Sequence, residues 1–86
     1  MNNHQYEKLR NMKTLNSNAV VADNLRRARK QHGWSQESCA EKCELHRTYI
    51  GAVERGERNI TIGTLDKIAV ALGTTALELM TPRGKR

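Results

Sequence analysis

Apolar positions along the chain recur at helical spacing in five short stretches, and nowhere alternate with the period of a strand. Val21, Leu25 and Ala28 form the first stripe, with Arg26, Arg27 and Lys30 on the opposite face. Cys39, Ala40 and Cys43 form the second, Ile50 and Val53 the third, and Leu65, Ile68, Ala69 and Leu72 the fourth. Leu77, Leu79 and Met80 complete the set. Polar residues set the ends. Asn18 is placed to cap a helix over 19–31, and Gly33 to close it in the left-handed conformation. Ser35 caps the second helix, with Glu37 near the positive end of its dipole. Glu44 and Leu45 make a tight turn, and a third helix starts near Arg47. Thr61 caps the fourth, with Ile60 and Leu65 spaced as a hydrophobic staple, and Gly73 ends it. Thr75 and Glu78 have capping-box spacing for a last short helix that Pro82 stops. The pattern predicts an all-α fold of five helices. Each stripe is too short to hold a helix alone, so the helices must pack on one another.

Residues 19–81 are the expected domain. Residues 1–18 are polar, with Tyr6, Leu9, Met12 and Leu15 spaced either for a weak helix or along a flexible arm. Lys8, Arg10 and Lys13 suit an arm that reaches around DNA, although a loose tail is the plainer reading. Residues 82–86 form a short basic tail.

Composition narrows the class of partner. The chain has 86 residues, enough for one small domain. Aromatic residues are 3% and Phe is absent, so the core must be aliphatic. Fifteen basic residues against nine acidic give a net charge of +6. That balance favours a polyanion, with nucleic acid first, over a basic protein with no such partner. No apolar run approaches the length of about 18 residues that suggests a membrane span. The polar N-terminus does not read as a signal peptide, and two cysteines do not make a disulfide framework. The expected compartment is a reducing cytoplasm. No paired nucleophile and base, Gly-rich phosphate loop or placed carboxylate pair is visible, so neither an enzyme nor a cofactor is expected.

The outward side of the third helix carries the candidate chemistry. Arg47, Thr48, Gly51 and Arg55 face out, with Tyr49 and Ala52 on the flanks. Arg47, in the first turn, can bond guanine O6 and N7 together. Thr48 offers a methyl to thymine and a hydroxyl to a base edge or phosphate, and Tyr49 suits the backbone. Gly51 and Ala52 are small enough for a duplex to lie against them. Arg55, Arg58 and Asn59 can meet phosphates on the far side. Ser35 and Gln36, at the start of the second helix, can present backbone N–H groups to a phosphate.

The run from Ser35 to Gly56, S-Q-E-S-C-A-E-K-C-E-L-H-R-T-Y-I-G-A-V-E-R-G, resembles the helix-turn-helix of phage repressor and Cro-type regulators. Leu45 to Asn59, L-H-R-T-Y-I-G-A-V-E-R-G-E-R-N, is most similar to the controller proteins of restriction–modification systems. The likeness covers roughly residues 20 to 80. It implies a structural ion pair of Arg29 with Glu54, and base contact by Arg58. It also implies a two-fold dimer contact near the last helix, for which Leu77, Leu79 and Met80 are available. Two positions depart from the family. Glu44 stands where Gly usually takes a positive φ, and His46 stands at the recognition-helix cap where Asp, Ser or Thr is commoner.

Cys39 and Cys43, with His46 and His32, invite a metal reading. The resemblance puts a buried Leu at the first and Ala at the second, and free Cys is among the most buried residue types. Structural packing is therefore the expectation, with no metal. The leading function is a dimeric, sequence-specific regulator on double-stranded operator DNA, controlling a restriction–modification operon, with RNA polymerase as a candidate further partner. Two alternatives stand: an antitoxin-type or phage-type autorepressor, and a protein-interaction module built on the same fold.

Overall fold

A computed structural model describes residues 17–83. It contains five helices: α1 (Ser17–Gln31), α2 (Gln36–Lys42), α3 (Arg47–Glu54), α4 (Ile62–Leu72) and α5 (Ala76–Met80). No strand occurs among the described residues. The readings of 1–16 and of 84–86 lie outside them.

Local chemistry accounts for the ends. The hydroxyls of Ser35, Thr61 and Thr75 accept from the backbone N–H of Ser38, Thr64 and Glu78, satisfying one orphan donor of each helix. His46 does the same for α3, its Nδ1 accepting from Thr48 N at 3.1 Å. Imidazole thus fills the role expected of a carboxylate or hydroxyl. Gly33 and Gly73 adopt φ of 74° and 75° behind α1 and α4. The α2–α3 turn, residues 43–46, contains no glycine. Glu44 takes φ 58°, the sole positive value outside glycine among the described residues, at a cost of about 1–2 kcal/mol. His32 adds a second clasp: Nε2 lies 2.8 Å from the Leu72 carbonyl at the end of α4, and its ring stacks on Trp34 at 4.3 Å.

Two sequence expectations about the helices need correction. α1 already includes Ser17, so Asn18 sits inside it and is not its cap; its Nδ2 donates to Asn59 Oδ1 at 2.9 Å. The Thr75–Glu78 box is only half used in its expected sense, because the Glu78 carboxylate accepts from Thr74 Oγ1 at 2.5 Å.

The predicted stripes converge on one aliphatic core of Val21, Leu25, Cys39, Ala40, Cys43, Ile50, Val53, Leu65, Ile68, Ala69, Leu72 and Leu79. α1 packs on α3 and α5, α2 on α3, and α4 on α5. Leu79 is a correction. The sequence groups it with Leu77 and Met80 as dimer surface, yet it is 2% exposed while they are 70% and 41%. The helical period explains it. Leu77 and Met80 are three apart and share a face, whereas Leu79 points away from Leu77 and into the core.

A polar group ties α5 down. Asn24 lies within the apolar stripe of α1, and its Nδ2 donates to the carbonyls of Glu78, Leu79 and Thr81 at 3.3, 2.9 and 2.9 Å. At this end of α5 the Glu78 carbonyl also accepts from Thr81 N and the Leu77 carbonyl from Thr81 Oγ1, so the Asn24 carboxamide shares the capping with Thr81.

Candidate nucleic-acid interface

α3 is held by charge as well as by Ile50 and Val53. Arg29 forms a fork on Glu54, Nε to Oε2 at 2.6 Å and Nη2 to Oε1 at 3.0 Å. Its Nη1 donates to the Trp34 carbonyl at 2.8 Å. Gln36 Nε2 donates to Glu54 Oε1 at 3.0 Å, linking the start of α2 to the end of α3. Arg26, expected on a solvated face, reaches the Glu54 carbonyl with Nη2 at 2.6 Å. It serves the negative end of the α3 dipole. Burial opposes the charged form of Glu54. The bonds from Arg29 and Gln36 and the charges of Arg29 and Arg26 outweigh it, so the carboxyl titrates below its ordinary range. The bond to Glu54 raises Arg29 in turn, against the opposing effect of burial.

On the outer side, Arg47, Thr48 and Arg55 are exposed, with Tyr49 and Ala52 half-buried at the flanks. Gln36, Glu37, Arg47, Thr48, Gly51 and Arg55 line a shallow concavity between the N-terminus of α2 and the face of α3. Ser35 is exposed at the same end of α2. Arg58 stacks its guanidinium over the Tyr49 ring, 4.9 Å from the centroid, and Asn59 is held by Asn18.

Gly51 and Arg55 depart from expectation. Gly51 is buried, because side chains of this same chain cover it. A Cβ there would lie 3.2 Å from Arg55 Nη1 and 3.4 Å from Gln36 Oε1. Arg55 therefore folds back over the face of α3, with Nε 3.1 Å from Glu57 Oε1, instead of extending to the far side.

The sulfurs of Cys39 and Cys43 lie 4.0 Å apart in the core. Burial, reinforced by the neighbouring Cys43, pushes the Cys39 thiol up to about 12, and burial also raises Cys43. Neither His46 nor His32 is free to join them, since His46 caps α3 and His32 meets Leu72. Among the described residues no group of three or more His, Cys, Asp or Glu is arranged to hold a metal ion.

Asn18, Arg26 and the cover over Gly51 were not foreseen. Only Arg26 left a signal, as a basic residue of α1 one turn before Arg29.

A family model described as Helix-turn-helix matches residues 25–79. A hypothetical transcription factor of Neisseria meningitidis serogroup B is 47% identical over 68 residues, 79% of this chain and 64% of that protein, just under two thirds of its length. The crystal structure of a hypothetical transcription factor, NHTF, from Neisseria is 47% identical and matches with a TM-score of 0.75 over 77% of this chain and 76% of that one. Control protein C.SmaI of Serratia marcescens is 49% identical over 65 residues, 76% of this chain and 77% of that protein. The restriction–modification controller protein C.AhdI of Aeromonas hydrophila is 39% identical at a TM-score of 0.69, over 72% of this chain and 94% of that one.

Proposed function

We propose, from the premise that this chain belongs to the helix-turn-helix family, that it is a DNA-binding transcriptional regulator acting as a homodimer on operator DNA. The observation that carries this is the strip on α3. Arg47, Thr48 and Arg55 stand exposed in one row, flanked by Ser35 and Gln36 on one side and by Tyr49, Ala52, Arg58 and Asn59 on the other. In such a row the first-turn arginine reads a base edge, while the surrounding groups hold the phosphates and set the register. Nothing in the proposal calls for catalysis or a cofactor.

A single recognition helix reads only a few base pairs, too few to find one site among genomic competitors. Two copies related by a two-fold double the contacts. Exposed Leu77 and Met80 on α5 supply apolar surface for that pairing. Likeness to C.SmaI and C.AhdI supports control of a restriction–modification operon. Repression needs only occupancy of the operator, whereas activation requires contact with RNA polymerase. The site of action is the cytoplasm; no described helix is long and apolar enough to cross a membrane.

The test is a titration of labelled duplexes, operator against scrambled sequence, across a salt series. Two subunits with about four or five phosphate contacts each give a log–log slope on the order of −7 to −9 for the operator. Equal affinity for both duplexes, or no salt dependence, would instead support the protein-interaction module.

A further inference from the structure

We propose that Gly51 is a positioning residue for Arg55: its bare Cα is a seat that turns the Arg55 guanidinium toward base edges, making Arg55 a determinant of sequence. This rests on the DNA-binding reading above. Three observations carry it. First, Gly51 lies in the middle of α3, where glycine is a poor helix former and its φ is not positive. Backbone conformation therefore does not require it. Second, its outer face is occupied within the chain, by Arg55 Nη1 and Gln36 Oε1. Third, both neighbours have partners of their own. Gln36 is anchored through Nε2 on the Glu54 carboxylate at 3.0 Å, and Arg55 Nε lies 3.1 Å from Glu57 Oε1 in an exposed ion pair.

The consequence is chemical. An arginine at the C-cap of a recognition helix ordinarily has the reach to meet phosphates beyond it. Here the guanidinium is drawn back one turn, into the concavity that also holds Arg47 and Thr48. With Nε engaged by Glu57, the Nη groups remain to offer parallel donors, the pattern that guanine O6 and N7 accept. Gln36, with one N–H committed to Glu54, borders the same pocket as a fixed polar wall. A methyl at position 51 would push the Arg55 guanidinium away by a few tenths of an ångström, against Gln36 Oε1 at van der Waals contact on its other side. Geometry at a base edge is sensitive to such shifts.

The experiment is a double-mutant cycle on the operator selected by the wild-type protein, using Gly51→Ala, Arg55→Ala and the combination, with thermal melting alongside. Gly51→Ala should melt at or above the wild-type temperature and lose about tenfold in operator affinity, with non-specific affinity unchanged. In the Arg55→Ala background the same substitution should cost less than about twofold, and sequences selected by Gly51→Ala should relax at the base pair that Arg55 reads. A cost that persists undiminished without Arg55 would show that the duplex itself meets position 51, and would overturn the proposal. So would Gly51→Ala binding the operator as tightly as wild type, which leaves the DNA-binding reading intact. A wild-type protein that selects no sequence removes both.

Discussion

Arg29 and Glu54, 25 residues apart, meet through two hydrogen bonds of 2.6 and 3.0 Å while 11% and 3% exposed. The pair joins α1 to the end of the recognition helix, and Gln36 extends it to α2. It thereby fixes the mutual placement of the elements that carry the proposed DNA face. Breaking it from one side leaves a charge in a site that water does not reach. Arg29→Ala should cost about 3–5 kcal/mol in urea unfolding, a large fraction of what a small domain has. A loss below about 1 kcal/mol would show that the pair behaves as an exposed one. Because Glu54 titrates lower in the fold than in the unfolded chain, its contribution is full above the ordinary carboxylate range. It declines as pH falls through that range toward the folded value. Glu54→Gln should flatten this acid limb.

The two thiols give a prediction of opposite sign. Cys39 titrates near 9.0 when unperturbed and at about 12 in the fold, so the fold favours the protonated thiol. Its contribution to stability is present below about pH 9 and lost as pH rises toward 12. Native protein at neutral pH should leave both cysteines unmodified by iodoacetamide, and unfolded protein should lose both. Rapid labelling of the native state would place them at the surface.

Much of this was legible in the sequence, for identifiable reasons. Ser35, Thr61 and Thr75 act on backbone N–H groups three residues on, so spacing alone reveals them. The stripes of α1, α2 and α4 follow directly from the helical period. The positive φ of Glu44 is expected from the resemblance alone, because the family usually has Gly at that position. What escaped reading depends on distant partners. Asn24 caps carbonyls more than 50 residues away, and nothing local separates it from a solvated asparagine except its place between Val21 and Leu25. The cover over Gly51 requires the rotamer of Arg55, which sequence does not specify. Leu79 is a different case: the 100° step between helical residues already sets it apart from Leu77 and Met80, and grouping the three by composition ignored that step.

Asn24 offers a local test of how α5 is held. Asn24→Ala removes the donor shared by three carbonyls and should cost about 1–3 kcal/mol. Hydrogen exchange at Leu79 and its α5 neighbours should quicken more than at Ile50. Uniform acceleration across the chain would show that α5 has no separate anchorage.

Leu77 projects from α5 with 70% of its surface exposed, on the face it shares with Met80. Leu77→Asp should leave the melting temperature within a few degrees of wild type and convert a dimer to a monomer in sedimentation at micromolar concentration. Operator affinity should fall while non-specific binding persists. A dimer that survives the substitution would place the two-fold contact elsewhere.

Selection of bound duplexes from a random pool, followed by footprinting of the enriched sequence, tests the two-fold, sequence-specific regulator most directly. Two recognition helices related by a two-fold meet successive major grooves about 34 Å apart, near one helical turn. The predicted result is an inverted repeat whose half-sites carry that spacing, both protected together. Failure to enrich any sequence, or protection of a single unrepeated half-site by a protein that stays monomeric on and off DNA, would contradict it.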